Sequence, residues 1–112
     1  MKNKIQTLLL TAGVLAFGTA AAEDKVAKPE AVAVCATCHG ENGVSVAPNF
    51  PNLAGQHRSY LEHSLRAYKS GARKNPIMGA QVANLSEDDI KHLAAWFSQQ
   101  EPVLHTLDPE AK

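Results

Sequence analysis

The chain has 112 residues, is 45% hydrophobic and 20% charged, and sets eleven basic residues against eleven acidic ones for a formal net charge of zero. That balance leaves no electrostatic footprint for nucleic acid. The length allows one small domain, and a domain of this size buries a limited core, so a metal, a disulfide or a cofactor often completes it.

The chain starts MKNKIQTLLLTAGVLAFGTAAAED. Lys2 and Lys4 precede an apolar run from Ile5 to Gly18, and Ala20-Ala21-Ala22 offers a small-residue cleavage site before Glu23. These are the three parts of a secretory signal peptide, so residues 1–22 are expected to be removed and residues 23–112 to form the exported, periplasmic domain. A retained membrane anchor is the weaker reading. The run falls short of the roughly 20 apolar residues a span requires, and Gln6, Thr7 and Thr11 dilute it. No cysteine stands at the cleavage point to carry a lipid. Beyond residue 22, nine basic residues face eleven acidic ones, a charge near −2.

From Pro29 the stretch PEAVAVCATCH suits a helix, because proline fits the first helical turn and Glu30 behind it complements the helix dipole. Ala27, Ala31 and Cys35 fall four apart and would share one small-residue stripe. Residues 40–56, GENGVSVAPNFPNLAGQ, read as a long loop with three glycines and two prolines, and loops of that length are usually functional. HRSYLEHSLRAYKSG follows as a helix with Leu61, Leu65 and Tyr68 at i, i+4 and i+7 and Gly71 as its stop. A second loop, GARKNPIMGAQVANL, leads to SEDDIKHLAAWFSQQ. There Ser86 caps a helix with acids at 87–89 in its first turn, and Ile90, Leu93, Ala94 and Phe97 make the apolar face. Pro102 bars its continuation. The expected fold is all-α, with three main helices and two long loops.

The only two cysteines, Cys35 and Cys38, lie in CATCHG with His39 directly after them. A thioredoxin-like couple would place C-x-x-C at the start of a helix inside a βαβ pattern, whereas this pair ends a helical stretch. A zinc site would ask for a second ligand pair, and the chain has neither another cysteine pair nor an H-x-x-x-H. A plain disulfide would close a tiny loop and leave His39 without a role. C-x-x-C-H is the sequence on which haem is covalently attached. Two thiols add across the two vinyl groups of the porphyrin, and the adjacent imidazole is carried under the iron as its ligand.

An open position opposite that imidazole favours ligand binding or catalysis, and a closed one favours electron transfer. Met78 is the one methionine beyond residue 22 and stands in the Pro/Gly-flanked segment NPIMGAQ. As a core residue it would simply fill a gap, yet it belongs to no helical stripe in this reading. The rival ligands are His57, His63, His92 and His105. His63 and His92 point away from their apolar faces at about 100° per residue, His57 falls at a helix start and His105 in the polar tail. Met78 is preferred.

The order of these features resembles class I cytochrome c: an N-terminal helix, CATCHG, a P-N-L loop, a middle helix, a methionine segment and a terminal helix with L-A-A-aromatic. PNLAGQ, the Tyr60 helix, GARKN, Met78 and LSEDDIKHLAAWF look more narrowly like one half of the two-haem periplasmic cytochrome c-four group, from which this chain departs by carrying one C-x-x-C-H. The resemblance implies one haem c held by Cys35 and Cys38, with iron ligands His39 and Met78, and with the Pro51 carbonyl accepting a hydrogen bond from the His39 Nδ1–H. It further implies that Trp96 packs on Ala27 and Ala31, and that Leu53, Tyr60, Leu65, Ile77, Leu93 and Phe97 line the haem pocket. Arg58, Arg73 and Gln56 are candidates for the haem propionates, without an assignment among them. The function so implied is one-electron transfer between redox protein partners, not catalysis. The alternatives are an electron-transfer subunit of a larger oxidoreductase and a haem sensor with an open sixth site.

Overall fold

The computed structural model describes Gly18 and residues 25–104, so the expected signal peptide lies outside the described residues. Four α-helices follow in order: α1 Val32–His39, α2 Arg58–Ser70, α3 Pro76–Val82 and α4 Glu87–Ser98. No strand occurs among the described residues, and the expected all-α class holds.

The core forms where α1, α2 and α4 meet: Val32, Leu61, Leu93, Ala94 and Phe97 make one buried cluster. Burying a side chain of the Val, Leu or Phe type is worth about 1.5–3 kcal/mol, so these few residues carry much of the fold. The i, i+4, i+7 stripe of α2 turns this way, with Leu61 buried and Leu65 and Tyr68 half-buried. In α4 all four expected apolar positions, Ile90, Leu93, Ala94 and Phe97, are buried.

Local chemistry sets the ends of these helices. Ser86 and Asp89 form a reciprocal capping box at the start of α4: the Ser86 hydroxyl accepts from the Asp89 N–H at 3.0 Å, and the Asp89 carboxylate accepts from the Ser86 N–H at 2.8 Å. The Ser86 hydroxyl also donates to that carboxylate at 2.7 Å, and this bond, followed by the one from the Ser86 N–H, holds the Asp89 carboxyl below its ordinary range. At the other end of α2, Gly71 takes the left-handed conformation at φ +78° and its N–H donates to the Tyr68 carbonyl. Arg66 joins α2 to the start of α4 by donating to both Glu62 and Glu87. Lys69 adds a bond to the Leu85 carbonyl.

Three expectations change. The segment read as a second long loop contains α3, so there are four helices rather than three. Asn75 starts α3: its side chain accepts from the Ile77 and Met78 N–H groups, both at 3.0 Å, and Pro76 supplies the pre-set φ of a first helical residue. The first helix does not begin at Pro29. Pro29 and Glu30 form turn bonds to the Val32 and Ala33 N–H groups, and regular helix starts at Val32. Ala27 therefore lies before the helix and is exposed, so the stripe Ala27, Ala31, Cys35 does not exist as a continuous face. Ala31 and Trp96 both flank the core cluster, but Trp96 is only half-buried and its indole N–H donates to the Glu41 carbonyl at 3.0 Å.

Gln99, at the end of α4, ties down the N-terminal segment. Its amide pairs with both the N–H and the carbonyl of Val26 at 2.8 Å, in the manner of a strand neighbour.

Candidate haem site

Cys35 and Cys38 lie three apart in α1, a spacing that puts both on one face of the helix. Neither is in a disulfide, and both line a cleft of ≈ 1030 Å³ between the helices and the 40–57 loop. The Cys35 thiol sits 3.7 Å from the Ala31 carbonyl, and burial pushes it above the ordinary thiol range. A redox-active thiol of the thioredoxin kind needs the opposite shift, toward the thiolate. The environment holds Cys35 as a neutral thiol.

His39 closes α1 and is 7% exposed, the one buried polar side chain among the described residues. Its Nδ1 lies 2.8 Å from the Pro51 carbonyl oxygen. With the proton on Nδ1 donated to that carbonyl, Nε2 is left with a lone pair and has no hydrogen-bond partner among the described residues. Phe50 packs edge-on to the ring at 6.4 Å between centroids. The imidazole is thus fixed in both tautomer and orientation.

The loop that carries Pro51 owes its shape to distant bonds. The Gly43 carbonyl accepts from the Leu53 N–H at 2.7 Å and the Ala54 N–H at 3.1 Å, while the Ser45 N–H donates to the Asn52 side chain at 2.7 Å. The Gly55 N–H reaches the Phe97 carbonyl of α4 at 3.0 Å. Gly43 has φ +75°, and a Cβ on it would stand 2.6 Å from the Ala54 nitrogen and 2.9 Å from Phe97 Cδ1. Glycine is required there twice over, for the dihedral and for the space.

Met78 is half-buried in the first turn of α3 and lines the same cleft as the two thiols and His39. Of the rival candidates, His57, His63 and His92 are exposed and do not line it, and His105 lies outside the described residues. The six expected pocket residues Leu53, Tyr60, Leu65, Ile77, Leu93 and Phe97 all do. A role for Asn75 was missed on reading the sequence, although an asparagine directly before a proline is a helix-start signal.

These features fit a haem. The cleft is as large as the biggest ordinary small-molecule pockets, which run to about 1,000 Å³, and its wall is chiefly apolar. It presents two free thiols on one helical face with an oriented imidazole beside them. His39 and Met78 offer the nitrogen and thioether donors that suit haem iron.

Comparison with known proteins agrees. The family model for cytochrome c matches residues 29–101. The chain is 38% identical to cytochrome c4 of Azotobacter vinelandii over 119 residues, covering 98% of this chain and 56% of that one. It is 41% identical over 83 residues to cytochrome c-554(548) of Halomonas halodenitrificans, covering 71% of this chain and all of that one. Among solved structures, Acidithiobacillus ferrooxidans cytochrome c4 superposes with a TM-score of 0.56 at 35% identity, over 58% of this chain and 37% of that one. The chain spans just over half the length of the cytochrome c4 relative and the full length of cytochrome c-554(548). Taken with the site, this means that the chain belongs to the cytochrome c family, as a class I c-type cytochrome of the c4 group with one haem c bound covalently through Cys35 and Cys38.

Proposed function

We propose that this protein is an exported, periplasmic carrier with a single haem that moves one electron at a time between redox proteins, with His39 and Met78 as the two iron ligands. Residues 1–22 serve as the removable export signal, and residues 23–112 are the working domain. The observation that supports this most is the convergence of Cys35, Cys38, His39 and Met78 on one apolar cleft.

The haem supplies the cycling of iron between Fe(II) and Fe(III). The chain's residues supply everything that makes the cycling a carrier's. Cys35 and Cys38 anchor the group. Pro51 holds the His39 ring in place through Nδ1 and makes Nε2 the better donor. Met78, with its backbone held by the Asn75 cap, brings a thioether, a ligand that favours the reduced state. The apolar wall works in the same direction, since it disfavours the added positive charge of ferric iron. His39 and Met78 would hold the iron of such a haem between two side-chain donors, and a closed iron suits electron transfer rather than catalysis or gas sensing.

Val34, Tyr60 and Ile77 each line the cleft and yet remain about half exposed or more, which leaves it an apolar rim. With a charge near −2 beyond residue 22, long-range steering of partners is weak. Apolar contact at this rim would then dominate docking with electron donors and acceptors.

An absorption spectrum recorded through a redox titration of the purified protein tests the reading. The oxidised protein should show the weak Met–iron band near the red end of the spectrum, and the titration should follow a single one-electron curve. A spectrum without that band, together with direct binding of carbon monoxide by the reduced protein, would favour a sensor with an open site.

A further inference from the structure

Asn42 and Gly43 form an Asn-Gly step, where no side chain shields the main-chain nitrogen from the asparagine amide before it. The other asparagines of the described residues differ. Asn49, Asn52 and Asn84 precede Phe50, Leu53 and Leu85, whose side chains crowd that nitrogen. Asn75 precedes Pro76, whose ring nitrogen has no hydrogen to give up. Asn42 is exposed to water, yet the chain is held on both sides of it. Before it, the Glu41 carbonyl accepts from the Trp96 indole N–H at 3.0 Å, and the Glu41 carboxylate pairs with Lys28 at 3.3 Å. After it, the Gly43 N–H donates to the Gly40 carbonyl at 3.0 Å, and Gly43, itself buried, takes the Leu53 and Ala54 N–H groups on its carbonyl.

We propose that Asn42 is a site of spontaneous deamidation, shut while the 40–57 loop is closed and available when it opens, and that conversion to isoaspartate there bars the loop from closing again. In the reaction the Gly43 nitrogen bonds to Asn42 Cγ, the Cγ–Nδ2 bond breaks, and ammonia leaves with the proton given up by the Gly43 N–H. Water then opens the cyclic imide. Opening at Cγ gives aspartate on the original main chain. Opening at the Asn42 main-chain carbonyl gives isoaspartate, whose main chain runs through Cβ and Cγ and is one carbon longer.

The attack turns the peptide plane between residues 42 and 43. The Gly43 bond to Gly40 must therefore break and the grip on the Gly43 carbonyl must loosen, which makes local opening the gate. The longer chain has nowhere to go afterwards. Gly43 is so closely fitted that even a Cβ would stand 2.6 Å from the Ala54 nitrogen. Displacing it pulls on the segment that aims the Pro51 carbonyl at His39. A chain left with its loop open is diverted irreversibly, as unfolded chains are when chemical modification outruns refolding. None of these steps needs the haem.

Ageing of the haem-loaded protein tests this, with one sample folded and one unfolded in guanidinium at the same mildly alkaline pH and temperature. Peptide mapping by mass follows conversion at each asparagine, and enzymatic methylation of isoaspartate identifies the product. In the unfolded sample Asn42 should convert at least tenfold faster than Asn49, Asn52 or Asn84. In the folded sample it should convert at least tenfold more slowly than in the unfolded one, an opening free energy of about 1.4 kcal/mol or more. Equal rates in the two samples would overturn the gate, and an Asn42 that does not lead in the unfolded sample would overturn the site.

The consequence for the loop is read on two further samples. N42D carries the new charge on a main chain of normal length, and it should keep the wild-type spectrum and denaturation midpoint. Chains bearing isoaspartate at position 42, separated after ageing and returned to buffer, should unfold at lower denaturant with a changed haem spectrum. Isoaspartate chains that regain the wild-type midpoint and spectrum would overturn the bar on reclosing. An N42D protein as damaged as they are would overturn it too, since charge rather than chain length would then be the cause.

Discussion

The helix α4 and the loop of residues 40–57 meet at Phe97, and they are held in opposite ways. The start of α4 is built from neighbours: Ser86 and Asp89 close it with bonds three residues apart, and its apolar face repeats at helical spacing. The loop is built from strangers. Gly43 receives Leu53 and Ala54, Gly55 reaches Phe97, and Pro51 meets His39, so each stitch spans a stretch that no local pattern announces. The contrast teaches that the helices make most of the pocket wall, while the loop sets the one hydrogen bond that orients the His39 imidazole.

Changes that act on one region and not the other sharpen this comparison. The largest effect is expected from Gly43→Ala. The new methyl would meet the Ala54 nitrogen and Phe97 at positive φ, and the combined overpacking and dihedral strain should cost about 2–4 kcal/mol. Chemical denaturation of the haem-loaded protein measures it, and the His39 environment should be disturbed along with stability. A loss under about 0.5 kcal/mol, typical of a surface position, would mean that the loop yields and is not stitched as described.

Ser86→Ala should do less. Loss of the cap costs about 1 kcal/mol and should leave the haem spectrum unchanged, because the box lies at the far end of α4 from Phe97. A spectral change in this variant would break the separation between the two regions.

The same contrast explains what the sequence made legible. Cys35, Cys38 and His39 announce themselves by spacing, since covalent attachment requires two thiols and an adjacent imidazole. α2 and α4 are long enough for periodicity to register, and both carry terminal signals in Gly71 and Ser86. α3 has seven residues, too few for a period to show, and Gly79 within it argues against helix, so only the Asn75-Pro76 pair marked it. The extension of α1 back to Ala27 failed because Pro29 favours a first turn without specifying how the chain before it runs. The Pro51 carbonyl was reached by resemblance alone: every residue has a carbonyl, and its aim depends on the Gly43 and Asn52 bonds.

Met78 carries the central claim, that the cleft holds an iron closed on both sides by side chains. The most direct measurement is the oxidised absorption spectrum of Met78→Ala beside the wild type, with Met78→His as the third sample. Met78→Ala should keep its haem, because Cys35, Cys38 and His39 are untouched, while the Met–iron band disappears, the potential falls and carbon monoxide binds the reduced form. Met78→His should restore six-coordination at a lower potential, since imidazole donates more strongly to ferric iron. A Met78→Ala protein that retains the wild-type band would contradict the account, and Met78 would then be a packing residue of α3.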